Sequence, residues 1–107
     1  MSDQIHVLRP RGRLDSVTSS GLEREAIAVI EGGGRLLLID LAGLDYISSA
    51  GLRMALAVAK RLDAVGGRLA LCRPQPPVAE VFEISGVDGI IGVHASAEEA
   101  TARLTAG

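Results

Sequence analysis

The sequence predicts a single α/β domain over residues 1–107, with a mixed sheet of four or five strands and about four helices. Three observations lead there. Short apolar runs of strand length alternate with stretches whose apolar residues recur at helical spacing. The length of 107 residues is that of one domain. With 48% of residues hydrophobic and 22% charged, the chain can close one core and is too apolar for a disordered segment.

The first element lies in residues 5–14, where a β-branched run meets Pro10 and Gly12; one or two short strands are expected. Asp15 and Ser16 begin a polar loop. Ser20 with Glu23 reads as a capping box, and Leu22, Ala26, Val29 and Ile30 follow on one helical face. Gly32, Gly33 and Gly34 stop that helix. Read instead as a phosphate-cradling loop, they lack the preceding strand and the following Lys-Ser/Thr pair. Residues 35–41 are an apolar run interrupted by Asp40, the mark of a central strand covered on both faces.

After a turn at Ala42 and Gly43, residues 44–51 lead into a second helix. Leu52, Ala55, Leu56, Ala59 and Leu62 form its buried stripe, and Gly66 with Gly67 ends it. Met54, Val58 and Val65 make a second apolar row, either a wider core face or a docking strip for a partner. Residues 68–72 form the next strand. Pro74, Pro76 and Pro77 then force an extended turn into a third helix over 78–85, with Gly86 as its stop. Residues 89–94 are the final strand, and a Ser96–Glu99 capping box opens a last helix that runs through Leu104.

Composition excludes several functions. Net charge is −2 and the arginines are scattered, so the electrostatic footprint of a nucleic-acid binder is missing. The longest uncharged stretch, 89–97, is nine residues against the roughly 20 that a membrane span needs. The first residues carry no apolar h-region of a signal peptide, and membrane insertion is not expected. The one cysteine, Cys72, has no internal disulfide partner and reads as a buried strand-end thiol; both features fit a cytoplasmic location. His6 and His94 stand alone, so neither a metal nor another cofactor is expected. No nucleophile elbow or metalloprotease motif is present, and the chain reads as a non-enzyme.

One segment carries chemistry. Ser48 and Ser49 sit where a strand and turn hand over to a helix. The simple role there is capping, a hydroxyl accepting from an amide of the first turn. A helix start also favours negative charge, so a phosphate of about −1.5 to −2 would be tolerated by the helix and felt by any partner docked on it.

The segments GRLDS, LLLIDLAGLDYISSAGLRMAL and GGRLALCRPQPPVAEVFEISGVDGII resemble those of bacterial anti-sigma factor antagonists, the stand-alone STAS domains, in matching order. The resemblance implies the STAS fold and a partner switch. The unphosphorylated antagonist binds an anti-sigma factor, itself a serine kinase of the histidine-kinase-like ATPase fold, and so frees the sigma factor. Phosphorylation of a serine at the helix start breaks the complex, and a PP2C-type serine phosphatase resets it. Carried onto this chain, the acceptor is Ser49, with Ser48 second. The implied partner surface comprises Asp15, Ser16, Asp45, Ser48, Ser49, Gly51, Arg53 and Met54. Taken alone, Gly51 could be backbone geometry and Arg53 a solvated helix charge. Many members place the acceptor directly before the glycine, where this chain has Ala50, which implies either an acceptor shifted to Ser49 or a constitutive binder that is not phosphorylated; the family's first strand is barely represented. A second reading keeps the fold: a STAS subunit bound to the ATPase of an ABC lipid transporter.

Overall fold

The computed structural model describes residues 4–106; residues 1–3 and 107 of the expected domain lie outside it. In chain order it contains β1 (Ile5–Leu8), β2 (Gly12–Leu14), α1 (Ser16–Glu31), β3 (Leu36–Asp40), β4 (Leu44–Ile47) and α2 (Ser49–Ala64). Then follow β5 (Arg68–Cys72), α3 (Pro76–Ser85), a 3-10 turn (Val87–Gly89), β6 (Gly92–His94) and α4 (Ala97–Thr105).

Strands β1, β3, β5 and β6 form one sheet in that order, while β2 and β4 pair apart as a two-stranded ribbon. This is the expected α/β class with its four helices, and the strand count is now divided four and two. Where a mixed sheet was expected, every described pairing is parallel. The reason is connectivity: each pair of neighbours is joined through a helix, which returns the chain to the same end of the sheet. β1, barely represented as a sequence signal, pairs with β3 at all four of its residues.

All five residues of β3 are buried, because the sheet is covered on both faces. One face packs Leu37, Ile39 and Leu71 against Leu22 and Ala26 of α1, Val58 and Leu62 of α2, and Phe82 of α3. The other packs Leu36, Leu38, Ala70 and Cys72 under Ala100 and Leu104 of α4. Alternate residues of one strand thus serve two cores, which the continuous apolar run requires.

Element boundaries depart from expectation in three places. α1 begins at Ser16, four residues before the expected Ser20 cap, so Ser16 is helical and not loop. Asp15 leaves β2 in an extended conformation and caps the helix itself, accepting from the amides of Val17 and Thr18, both at 3.0 Å. The Thr18 hydroxyl takes the Asp15 amide at 2.9 Å and completes the capping box. Ser20 lies inside the helix, where its hydroxyl donates to the Ser16 carbonyl at 3.1 Å. α3 starts at Pro76, with prolines in its first turn, where a missing amide costs no hydrogen bond. The last strand is shorter than 89–94, since the 3-10 turn takes Val87–Gly89 and puts Ile91 in the core. Ser96 caps α4, its hydroxyl accepting from the Glu99 amide at 3.1 Å, which is one half of the expected capping box.

Candidate functional site

The β2–β4 ribbon brings two helix starts together. Leu14 is paired with Ile47 at the ribbon's carboxyl end, and α1 and α2 each begin two residues beyond those strands. The backbone amide of Ser48 donates to the Leu14 carbonyl at 2.9 Å, and its hydroxyl donates to the same carbonyl at 3.0 Å. The Asp15–Ser16 and Ser48–Ser49 segments are therefore neighbours, although 33 residues separate Asp15 from Ser48.

The two serines differ in what their hydroxyls do. Ser48 is the N-cap of α2 and half-buried; its hydroxyl also accepts from the Gly51 amide at 3.4 Å. Ser49 is the first helical residue and exposed, and among the described residues its hydroxyl makes no hydrogen bond. The capping role weighed for both serines thus falls to Ser48, which holds the joint together. No imidazole or carboxylate among the described residues hydrogen-bonds Ser49.

Asp15 is half-buried, and the Thr18 amide, then the Thr18 hydroxyl, hold its carboxyl below the usual value. An ionised carboxylate therefore stands at the joint.

Gly51 lies under it. A β-carbon there would meet Ile47 Cγ1 at 2.7 Å and Leu14 Cδ2 at 3.1 Å, so the close approach of α2 to the ribbon admits a larger residue only if those side chains shift.

The other expected residues scatter. Arg53 is exposed one turn along α2. Asp45 is exposed near the start of β4, about 10 Å from Ser48 at the rise of a strand. Met54 was expected on the partner surface but is 4% exposed and packs in the core, since α2 turns that side toward the sheet. Val58 joins it there, while Val65 is exposed. The second apolar row is thus mostly core face.

Two surface residues were missed. Val17, 77% exposed, stands two residues past Asp15 in the first turn of α1. Tyr46 is 40% exposed, with the Arg13 guanidinium 4.1 Å above its ring. The sequence signal was an isolated valine in a polar stretch and the chain's one tyrosine. Among the described residues no cluster of three or more His, Cys, Asp or Glu could hold a metal, and no helix is long and apolar enough to cross a membrane.

Comparisons with known proteins agree on one family. The family model of the STAS domain matches residues 1–100. BtrV of Bordetella bronchiseptica, assigned as an anti-sigma factor antagonist, is 49% identical over 92 residues, covering 86% of this chain and 79% of that one. The anti-sigma F factor antagonist of Lysinibacillus sphaericus is 30% identical over 99 residues, covering 92% and 84%. Among solved structures, the anti-sigma factor antagonist SpoIIAA in its unphosphorylated form superposes with a TM-score of 0.79 at 28% identity, covering 95% of this chain and 89% of that chain. Its phosphorylated form, from Bacillus, superposes at 0.71 with 26% identity, covering 95% and 92%.

Proposed function

The chain belongs to the STAS domain family, and from that premise we propose that it is an anti-sigma factor antagonist switched by phosphorylation of Ser49. Its partner is an anti-sigma factor that is also a serine kinase of the histidine-kinase-like ATPase fold. The observation that carries this reading is the contrast at the helix joint: Ser48 is committed to Leu14 and Gly51, while the Ser49 hydroxyl is exposed and unbonded. The relatives' names and the two solved states of SpoIIAA support it.

In the unphosphorylated state the two helix starts, with Asp15, Ser16, Val17, Ser49 and Arg53 exposed or half-exposed, offer a docking surface. The bound kinase presents ATP. The Ser49 Oγ attacks the γ-phosphorus and gives up its proton, the bond to the bridging oxygen breaks, and ADP leaves. The new phosphoserine carries about −1.5 to −2 charge. The first-turn amides of α2 accommodate it. A partner surface that had met a neutral hydroxyl beside the Asp15 carboxylate now faces two anionic groups. The added charge acts on whatever the partner presents to the helix start, so an acidic or apolar partner surface is repelled or left poorly packed. A PP2C-type phosphatase hydrolyses the phosphoester and restores the surface. No reaction is assigned to this chain itself, and its work is in the cytoplasm, where sigma factors act.

Phosphosite mapping tests this reading. Wild-type, Ser48→Ala and Ser49→Ala proteins are incubated with host cytosol and ATP, and intact and fragment masses are recorded. One phosphate on the wild type and on Ser48→Ala, with none on Ser49→Ala, is the expected pattern. Phosphate on Ser49→Ala at the wild-type rate removes Ser49 from the switch.

A further inference from the structure

The sequence scatters its arginines, but the fold gathers three of them. Arg9 follows β1, Arg73 follows β5, and Arg11 lies in the β1–β2 connection; all three line an open concavity of about 560 Å³ at the carboxyl end of the main sheet. Ligands of open α/β sheets lie outside the carboxyl ends of the strands. Asp40, the last residue of β3, sits at the back of this concavity and is 5% exposed. It holds Arg73 by a two-point fork, Nε to Oδ1 at 3.2 Å and Nη2 to Oδ2 at 2.6 Å. Arg9 stands 3.7 Å from the same carboxylate, and Arg11 has no ion-pair partner among the described residues.

Arg73 is also the one non-glycine residue with a positive φ, 57°, among the described residues. Its amide donates to the His94 carbonyl at 2.9 Å, which ties the strained backbone to the end of β6. A glycine would occupy that conformation without strain, yet the position carries a guanidinium aimed at the sheet end. Three guanidiniums line the concavity against two carboxylates, Asp40 and the exposed Asp45. Asp40 already fills the inner edge of Arg73, which leaves its outer donors and those of Arg9 and Arg11 for a ligand. A planar carboxylate offers two oxygens, whereas a tetrahedral oxyanion offers enough acceptors to meet three arginines together.

We propose that this concavity binds a small phosphate-type oxyanion, free or as the head of a phosphate ester, with Arg9, Arg11 and Arg73 as its ligands. The site goes beyond the serine switch and does not rest on it. Ser49 lies at the other end of the β2–β4 ribbon, so either assignment can fail alone.

The test is a titration of the ¹⁵N-labelled chain with inorganic phosphate, followed by amide shifts, with sodium chloride matched for ionic strength and succinate as the carboxylate arm. Phosphate is expected to give saturable shifts at Ala42, Gly43 and Arg73, half-complete at about 1–10 mM. Arg11→Ala should weaken binding about tenfold and leave the melting temperature unchanged, while Arg24→Ala, on α1, changes neither. Shifts that follow ionic strength alone, that persist in Arg11→Ala, or that succinate reproduces at equal concentration overturn the proposal. A methyl phosphate arm separates the two sources: saturation equal to phosphate means an ester head is accepted, and its loss confines the site to the free ion.

Discussion

Gly51 offers the sharpest quantitative test of the helix joint. In Gly51→Ala the new methyl lands 2.7 Å from Ile47 Cγ1 and 3.1 Å from Leu14 Cδ2, both on side chains that are at least 95% buried. Overpacking a filled core costs about 1–3 kcal/mol. Alanine's better helix propensity returns at most about 1 kcal/mol. The net expectation is a loss of about 1–2 kcal/mol, or roughly 5–10 °C in melting temperature for a domain of this size. Ile47→Ala alone should cost about 2–4 kcal/mol through the lost transfer energy and cavity. In the double variant the methyl enters space that Ile47 has left, so its cost should fall short of the sum by about 1 kcal/mol or more. Urea unfolding of the four proteins, followed by circular dichroism, closes the cycle. A neutral or stabilising Gly51→Ala, or additivity within about 0.3 kcal/mol, would refute the claim that close approach of α2 to the ribbon favours glycine.

Other expectations follow from the same geometry. Ser48→Ala should destabilise by about 1 kcal/mol through its lost cap, while Ser49→Ala stays within about 0.5 kcal/mol in the same urea assay. Asp40 is held below its ordinary 3.8 chiefly by the Arg73 fork, and Asp15 by the Thr18 amide. Because both carboxyls titrate lower folded than unfolded, their stabilisation is present above about pH 4 and lost as pH falls through the folded values. Unfolding free energy should therefore decline from about pH 4 downward, and the slope should be shallower in Asp40→Asn; equal slopes would place the acid sensitivity elsewhere. Burial pushes the Cys72 thiol up, with the Asp40 charge adding to it. The native protein should resist a thiol reagent at neutral pH that labels the urea-unfolded chain within minutes, and rapid native labelling would contradict the packing of β5 under α4.

What could be read from residue order was what local periodicity encodes. The run over 35–41 announced a strand with two covered faces, and β3 is buried at every position. The stripe of Leu52, Ala55 and Leu62 marked the inner face of α2, and Gly32 to Gly34 ended α1 where expected. Choices between equivalent local signals were harder. Asp15, read from the sequence as a loop residue, caps α1 in place of Ser20 because of where β2 ends and because the Thr18 hydroxyl closes the box, a matter of tertiary placement. Met54 could be assigned to the surface or the core only once the side of α2 facing the sheet was known. The Asp40–Arg73 fork joins residues 33 apart whose partnership depends on β3 and β5 being neighbours in register, and no spacing rule encodes that. Ser49 was legible as a helix-start serine, and the difference between it and Ser48 emerges from the Leu14 carbonyl on another strand.

The central claim is that an anionic group at Ser49 decides whether the partner stays bound. Wild-type and Ser49→Glu proteins, immobilised as parallel baits in cytosol of the native host, test it directly, with bound proteins quantified by mass spectrometry and both baits checked for equal melting temperature. The account predicts an ATPase-fold serine kinase held by the wild type and lost, by tenfold or more, from the Glu variant. A kinase retained equally by both baits, or a transporter ATPase held by each, would contradict it and leave Ser49 an ordinary first residue of a helix.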